Sequence, residues 1–506
     1  MSLGPASAAD ANRWRVLAVV CAALLVVVID ATVLHIAAPS ISEDLRPSAV
    51  ELLWIIDGYA LVVAPLLVGF AKLGDKVGRP QVMLAGLAVF AAASMVAAFA
   101  PSPTVLILGR ALMGVGGAMI MPQTMSILRD VFPDRRERTT AVGIWVSVSS
   151  AGAAIGPIVG GFLVEHFWWG SVFLINIPIL AAIAIATLVW LPPSRAANPA
   201  PLDPVSVGLV TVGILGFAFG GKHGARYGFD DPLAILTFIG GIGLLITFVR
   251  RQLATTTPLL DVRLFAQTAF AVAVGCIVLA MVALIGLDFF FAQYLQLVLG
   301  LEPLAASVRL IPLAVATIAG GLIAAPILAR VGTRNAIAGG LLLSALSLVP
   351  LLSLGLADEW VILSASFVVL GLAIQVVAVA ANDVIVSAVT TDRAGDAAAI
   401  EETAYELGGG IGIAVLGSVL AAIYTDRLTT VRGVPAGEME GSRESLSEAT
   451  EIAQGLPAAI GDALTDAARL AFLDGLHITI AASIALMLTA TAVAAAVLPR
   501  VFSGAR

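Results

Sequence analysis

The chain holds 506 residues, 59% of them hydrophobic and only 12% charged, with a net charge of −7. Soluble domains carry about a quarter of their residues as charges, so the composition excludes one and describes a polytopic membrane protein. The acidic balance also excludes nucleic acid as a partner. Cys21 and Cys276, the only cysteines, both fall in apolar runs, which gives no pattern for a disulfide framework or a zinc site.

A bilayer core about 30 Å thick takes roughly 20 apolar residues per helix. On that measure fourteen spans are predicted, at residues 15–37, 50–73, 80–100, 103–128, 139–164, 168–191, 204–221, 232–250, 268–298, 304–329, 335–355, 359–389, 398–424 and 471–498. Residues 1–12 are polar, and the apolar run behind them is too long for a signal-peptide core, so it reads as a retained anchor. A proline-rich break at 192–204 follows the sixth span. A long acidic segment, 425–470, separates the last two, and its stretch 457–474 has the periodicity of a short surface helix. Of the 27 Lys and Arg, 18 fall in segments on the N-terminal side and 7 on the other, Lys222 and Arg226 among them. The positive-inside bias therefore predicts a plasma (inner) membrane protein with both termini in the cytoplasm.

Leu73-Gly-Asp-Lys-Val-Gly-Arg79 after span two is echoed by Leu328-Ala-Arg-Val-Gly-Thr-Arg334 after span ten, so Arg330 and Gly332 answer to Lys76 and Gly78. Such repeats mark two halves. The expected organisation is all-α: an N-terminal six-helix bundle (1–192), a linker with two inserted spans (193–263), and a C-terminal six-helix bundle (264–506).

Charges inside the spans carry the chemistry, because an intramembrane charge is costly and faces a cavity or a partner. Asp30 follows the unbroken apolar run Val16–Ile29, which puts it about 20 Å along its helix at 1.5 Å per residue. Arg110 is flanked by apolar stretches at comparable depth, and the two are predicted to pair. Protonation of Asp30 would weaken that pair and couple proton binding to helix movement; a static salt bridge is the competing reading. Glu402 and Glu406, four residues apart, share a face of span thirteen and suit proton carriage or recognition of an organic cation. A solvated helix start competes with that reading and is preferred for Glu401.

Asp288 stands beside Phe289, Phe290 and Phe291. Aromatic faces attract cations, so this segment resembles a cation-binding wall, with Gln293 and Gln296 as neutral hydrogen-bonding groups. A plain membrane-edge aspartate is the alternative. Asp57 and Tyr59 in span two, and Asn382 and Asp383 in span twelve, complete the candidate substrate-binding set. His35 is expected to make an ordinary hydrogen bond. In span five, Gly152, Gly156 and Gly160 recur every four residues, with Pro157 and Gly161 among them. Small residues allow close helix approach in lipid, and proline allows a bend, so this stripe is predicted to pack and gate rather than to carry protons. Asp75, Lys76, Gly78 and Arg79 are expected to lock an inner gate through pairing of Asp75 with a basic neighbour.

These residues resemble the major facilitator superfamily. Gly74-Asp-Lys-Val-Gly-Arg79 is similar to its cytoplasmic loop signature, Leu108-Gly-Arg-Ala-Leu-Met-Gly-Val-Gly-Gly-Ala118 to its fourth-helix arginine motif, and Gly152–Gly161 to its fifth-helix antiporter signature. Ile29-Asp-Ala-Thr-Val33 and the segment Glu401–Ser418 resemble motifs of the fourteen-helix drug:proton antiporter branch, which includes the quaternary-ammonium exporters and mycobacterial fluoroquinolone exporters. Ala71, Pro80, Met113 and His35 depart from the usual residues of these motifs. The resemblance implies a major facilitator fold of 6 + 2 + 6 helices and a non-enzymatic, proton-coupled multidrug efflux antiporter. It exports amphipathic cationic or zwitterionic drugs and dyes by alternating access, as a monomer among membrane lipids, without a cofactor other than the proton as coupling ion. No Gly-x-x-x-x-Gly-Lys-Ser/Thr loop occurs, so an ion gradient supplies the energy. Export of an endogenous lipid or secondary metabolite is the alternative within this fold, and a polytopic membrane enzyme or sensor the alternative outside it.

Overall fold

The computed structural model describes residues 6–195, 201–227, 230–256, 258–388 and 394–498, and the regular structure among them is entirely helical. Fourteen of its helices are long and apolar enough to cross a membrane. The first six spans are α1 (Ala6–Leu45), α2 (Ala49–Val77), α3 (Arg79–Ala98), α4 (Pro103–Val131), α5 (Arg135–His166) and the short α6 (Ser171–Leu174) running into α7 (Asn176–Trp190). Two inserted spans follow, α8 (Pro204–Tyr227) and α9 (Pro232–Ala254). The last six are α10 (Thr268–Gln293), α11 (Pro303–Val331), α12 (Thr333–Leu348), α13 (Trp360–Ser387), α14 (Ala394–Arg427) and α17 (Ala458–Val497), with α15 (Ala436–Ser442) and α16 (Leu446–Gly455) between the last two.

Local chemistry sets the ends of these helices. Ser48 and Glu51 close a capping box at the start of α2, the Ser48 hydroxyl accepting from the Glu51 N–H and the Glu51 carboxylate accepting from the Ser48 N–H at 3.0 Å. The α2–α3 turn passes through Gly78 at φ 131°, and the corresponding α11–α12 turn through Gly332 at φ 80°. Each N–H is bonded 2.9 Å back to the carbonyl four residues earlier. Positive φ favours glycine at both corners, which gives the sequence echo a conformational cause.

The first and last groups of six spans meet along two seams, α5 against α11 and α2 against α14. The inserted pair α8–α9 lies to one side and touches both α2 and α14 through α8. Two expectations need correction. Residues 457–474 are not a separate surface helix: they continue into the last span as a single helix of 40 residues, α17. Segment 425–470 is not a plain loop either, since α15 and α16 fold within it and α16 packs on α17 and α1. Of the linker 192–204, residues 196–200 lie outside the described residues, as do Arg393 and Arg500.

The inserted pair is clamped where it begins and ends. Arg251 near the end of α9 donates from Nε (2.9 Å) and Nη2 (3.2 Å) to Asp203, just before α8. These bonds, with Ser206 contributing, hold the Asp203 carboxyl well below the usual carboxylate range. A lowered pKa in the fold is stabilisation present above the unfolded value of about 3.9 and lost as pH falls toward the folded one. Asp203→Asn is therefore expected to lower the thermal unfolding temperature slightly at pH 7, and the gap from the parent chain to close below about pH 4. A gap that widens on acidification would contradict the assignment.

Candidate functional site

Asp30 of α1 and Arg110 of α4 are fully buried charges of the first bundle, both 0% exposed. Arg110 Nη1 donates to Asp30 Oδ2 at 2.5 Å, and Asn176 Nδ2 of α7 donates to Asp30 Oδ1 at 2.9 Å. Arg110 Nε reaches the Ile55 carbonyl of α2 at 3.2 Å, and the guanidinium lies 4.8 Å from the Tyr59 ring centroid and 5.9 Å from that of Phe173. One ion pair thus ties four helices together. Its burial is tolerable because nearly every donor and acceptor of the pair has a partner, as a desolvated charge requires. Asn176 was not foreseen: an asparagine at the head of an apolar helix gives no periodic signal.

Tyr59 extends this group toward the other bundle. It is buried, its hydroxyl has no hydrogen-bond partner, and it lies within electrostatic reach of Glu402 and Glu406 on α14. Those two carboxylates, half-buried, are close enough to interact with one another. Glu401, expected at a solvated helix start, is instead buried, and Asn382 of α13 donates to its carboxylate. Asp383, the neighbour of Asn382, points elsewhere: it is exposed and accepts from Thr333 Oγ1 at 3.1 Å.

A second connection joins the bundles directly. His35 Nδ1 of α1 lies 2.9 Å from Asp288 Oδ2 of α10, with the imidazole edge-on to Phe289 at 5.6 Å. About two turns beyond Asp288, Gln296 Nε2 donates to the Ile36 carbonyl at 3.1 Å. Phe289, Phe290 and Phe291 are all buried, while Gln293 is half-buried. The expected wall around Asp288 therefore includes a histidine from the opposite bundle.

Asp57 is 0% exposed and is not at a water-facing helix end. Lys222 of α8, which the positive-charge tally set outside the membrane, is buried at 3% exposure and donates to Asp57 Oδ1 at 2.6 Å. The side chain of Arg226 lies outside the described residues.

The glycine stripe of α5 has two neighbours. Gly152, Gly156 and Gly160 face α1 at Val28, Thr32 and Val33, whereas Gly161 faces α11 at Pro303, Leu304 and Ser307. Ser307 Oγ donates to the Pro157 carbonyl at 2.6 Å, and the Leu304 N–H donates to Glu165 at 3.2 Å. The stripe is a contact between bundles as well as within one.

At the loop signature, Arg79 donates to Asp75 at 2.8 Å and is also bonded to Asp130 of α4 and to Ser194 Oγ at 3.3 Å. Asp75 thus pairs inside its own motif, and the cluster joins α2, α3 and α4 to the segment after α7. Lys76 is exposed, and Gly78 makes the turn. A cleft of about 670 Å³ opens beside this cluster, lined by Arg13, Gly78, Gln81, Asp130 and Ser194 among others.

Residues 20–413 match the model of the Major Facilitator Superfamily. The multidrug efflux pump LfrA of Mycolicibacterium smegmatis is 41% identical over 95% of this chain and 95% of its own length. The methyl viologen resistance protein SmvA of Salmonella typhimurium is 37% identical over 91% of this chain and 93% of its own. Among solved structures, a bacterial homologue of the human lysosomal transporter Spinster aligns with a TM-score of 0.63 at 16% identity, covering 95% of this chain and 97% of that one, which bears on the fold alone.

Proposed function

The chain belongs to the Major Facilitator Superfamily, and we propose that within it the protein is a proton-coupled multidrug efflux antiporter for amphipathic cationic or zwitterionic drugs and dyes. The observation that carries this reading is the fully buried Asp30–Arg110 pair, set among four helices and within electrostatic reach, through Tyr59, of two carboxylates on the opposite bundle. LfrA and SmvA, by name an efflux pump and a methyl viologen resistance protein, support the substrate class.

The mechanism follows from what protonation does to that geometry. With Asp30 ionised, α1 is held to α4 and α7. A proton on Asp30 removes the negative charge facing Arg110, whose remaining partners are the Ile55 carbonyl, the Met113 sulfur and the Tyr59 and Phe173 rings. α1 is then free to shift. The same stretch of α1 seats the α5 stripe at Thr32 and Val33 and reaches α10 through His35 and Ile36. Movement of residues 30–36 therefore passes to α5, which forms the α5–α11 seam, and to the direct α1–α10 contact between the bundles. Glu402 and Glu406 carry protons or receive the cation, Asp288 and Phe289 form a second cation wall, and Arg79 with Asp75 holds the inner side. The working units are residues 1–192 and 264–506, with 193–263 inserted between them. In this reading the protein lies in the plasma (inner) membrane as a monomer with both termini cytoplasmic, and uses the proton rather than a cofactor.

Purified protein in liposomes with an imposed pH gradient tests the proposal. Ethidium or methyl viologen added to one side is expected to drive proton movement in the opposite direction, and Glu402→Gln to reduce it about tenfold, equivalent to about 1.4 kcal/mol. Proton flux indifferent to every cation supplied would sink the reading.

A further inference from the structure

Lys222 belongs to the inserted helix α8, yet its ammonium occupies a setting made by α2. It donates to Asp57 Oδ1 at 2.6 Å and lies 4.0 Å from the Trp54 ring centroid, with the Phe219 ring tilted at 38° to Trp54 and 6.3 Å from it. Asp57 Oδ2 is buried with no hydrogen-bond partner. A buried carboxylate with one unused oxygen, beside the face of a tryptophan, is the chemistry that recognises an organic ammonium.

We propose that Lys222 is a tethered cation, filling a subsite for organic cations formed by Asp57 and Trp54, and that cationic substrates compete with it for that place. The idea rests on the export reading given above. Three features distinguish such an occupant from a fixed strut. The lysine stem is four carbons long and flexible, so the ammonium retracts without moving the helix backbone. Lys222 stands five residues before the end of α8 at Tyr227, about 7.5 Å along the axis, near enough for the displaced head to reach the interfacial water. And α8 belongs to the inserted pair at the side of the bundles, with most of its residues not buried, so the lysine retreats along a peripheral helix rather than through a bundle core. The inserted pair thereby contributes to selectivity: a cation must offer Asp57 a better partner than Lys222 does, which favours delocalised aromatic cations over small hydrated ones.

Equilibrium binding of tetraphenylphosphonium to the purified full chain tests this. Lys222→Met is expected to tighten binding about tenfold or more, the range of coupling between close charge pairs, and Asp57→Asn added to it is expected to cancel the gain. A second measurement uses the parent chain and so survives any folding defect of the variants. Acetylation of Lys222 by acetic anhydride, read by mass spectrometry, is expected to accelerate at saturating tetraphenylphosphonium, because the displaced amine leaves its ion pair. Normal binding by the parent chain, with unchanged affinity in Lys222→Met or unchanged labelling of Lys222, overturns the tethered-cation proposal alone. Absence of binding in the parent and in all variants overturns the export reading with it.

Discussion

Asp30→Asn is expected to abolish proton-driven drug export while leaving a folded protein in the membrane. Asparagine keeps the shape of the side chain and an oxygen that accepts from Asn176, so α7 stays in place. What disappears is the negative charge opposite Arg110, leaving a buried guanidinium with the Ile55 carbonyl, the Met113 sulfur and aromatic faces. Removing one partner of a buried pair costs on the order of 3–5 kcal/mol, so a lower thermal unfolding temperature accompanies the loss. The decisive readout is the split between coupled and uncoupled transport. In liposomes, drug-dependent proton movement is expected to fall to the level of protein-free vesicles, whereas exchange of drug against drug, which needs no proton, continues. Arg110→Lys separates charge from geometry: it retains the cation but loses the fork that reaches Asp30 and Ile55 together, and is expected to be impaired less than Asp30→Asn. Coupled export by Asp30→Asn at the parent rate would remove this residue from the proton path.

The second large effect is steric. A methyl group on Gly161 would stand 2.9 Å from both the Leu304 Cα and the Pro303 carbonyl oxygen of α11, backbone atoms that cannot rotate away. Gly161→Ala is therefore expected to force α5 and α11 apart where Ser307 and Leu304 now bond across the seam. Overpacking of this kind costs about 1–3 kcal/mol. Charged to one conformation of a two-state transporter, that sum shifts the population ratio by roughly 5- to 150-fold. Spin labels at Glu165 and Leu304 report it as a longer distance, with transport slowed in proportion. Gly143→Ala, on the same helix with nothing within 4 Å of the added carbon, is the control and is expected to change neither. Equal behaviour of the two variants would show that close approach at Gly161 has no part in the cycle.

How far the sequence spoke depended on where each residue's partner lay. The spans were legible because each is a long apolar run, and Asp30 and Arg110 were legible as a pair because each interrupts one at similar depth in the same bundle. His35 and Asp288 stand 253 residues apart on different bundles, and no local pattern signals that their helices touch. Lys222 was misplaced for a related reason. Gly213, Gly216, Gly220 and Gly221 thin the hydropathy of its span, so the lysine looked like a flank, although those glycines serve the α8–α9 contact at Phe238 and Gly241. Glu401 was set aside because face-counting relative to Glu402 and Glu406 takes no account of Asn382 on another helix. Residues 457–474 read as a helix separate from the last span because Asp462, Asp466, Arg469 and Asp474 break the apolar run. Hydropathy reports contact with lipid, and a helix is free to continue beyond it.

That continuation has a mechanical consequence. At 1.5 Å per residue the 40 residues of α17 extend about 60 Å, twice the thickness of a hydrocarbon core, and the stretch 458–470 ahead of the predicted span carries the helix about 20 Å beyond the lipid as a rigid lever. α16 lies along this free arm and is joined to the end of α1 by the ion pair of Glu451 with Arg46. A tilt of the C-terminal bundle by about 10° would sweep the tip of a 20 Å arm through roughly 3.5 Å relative to its base. A fluorophore at the exposed Asp462 would therefore read the transport cycle from outside the bilayer, one stroke per turnover.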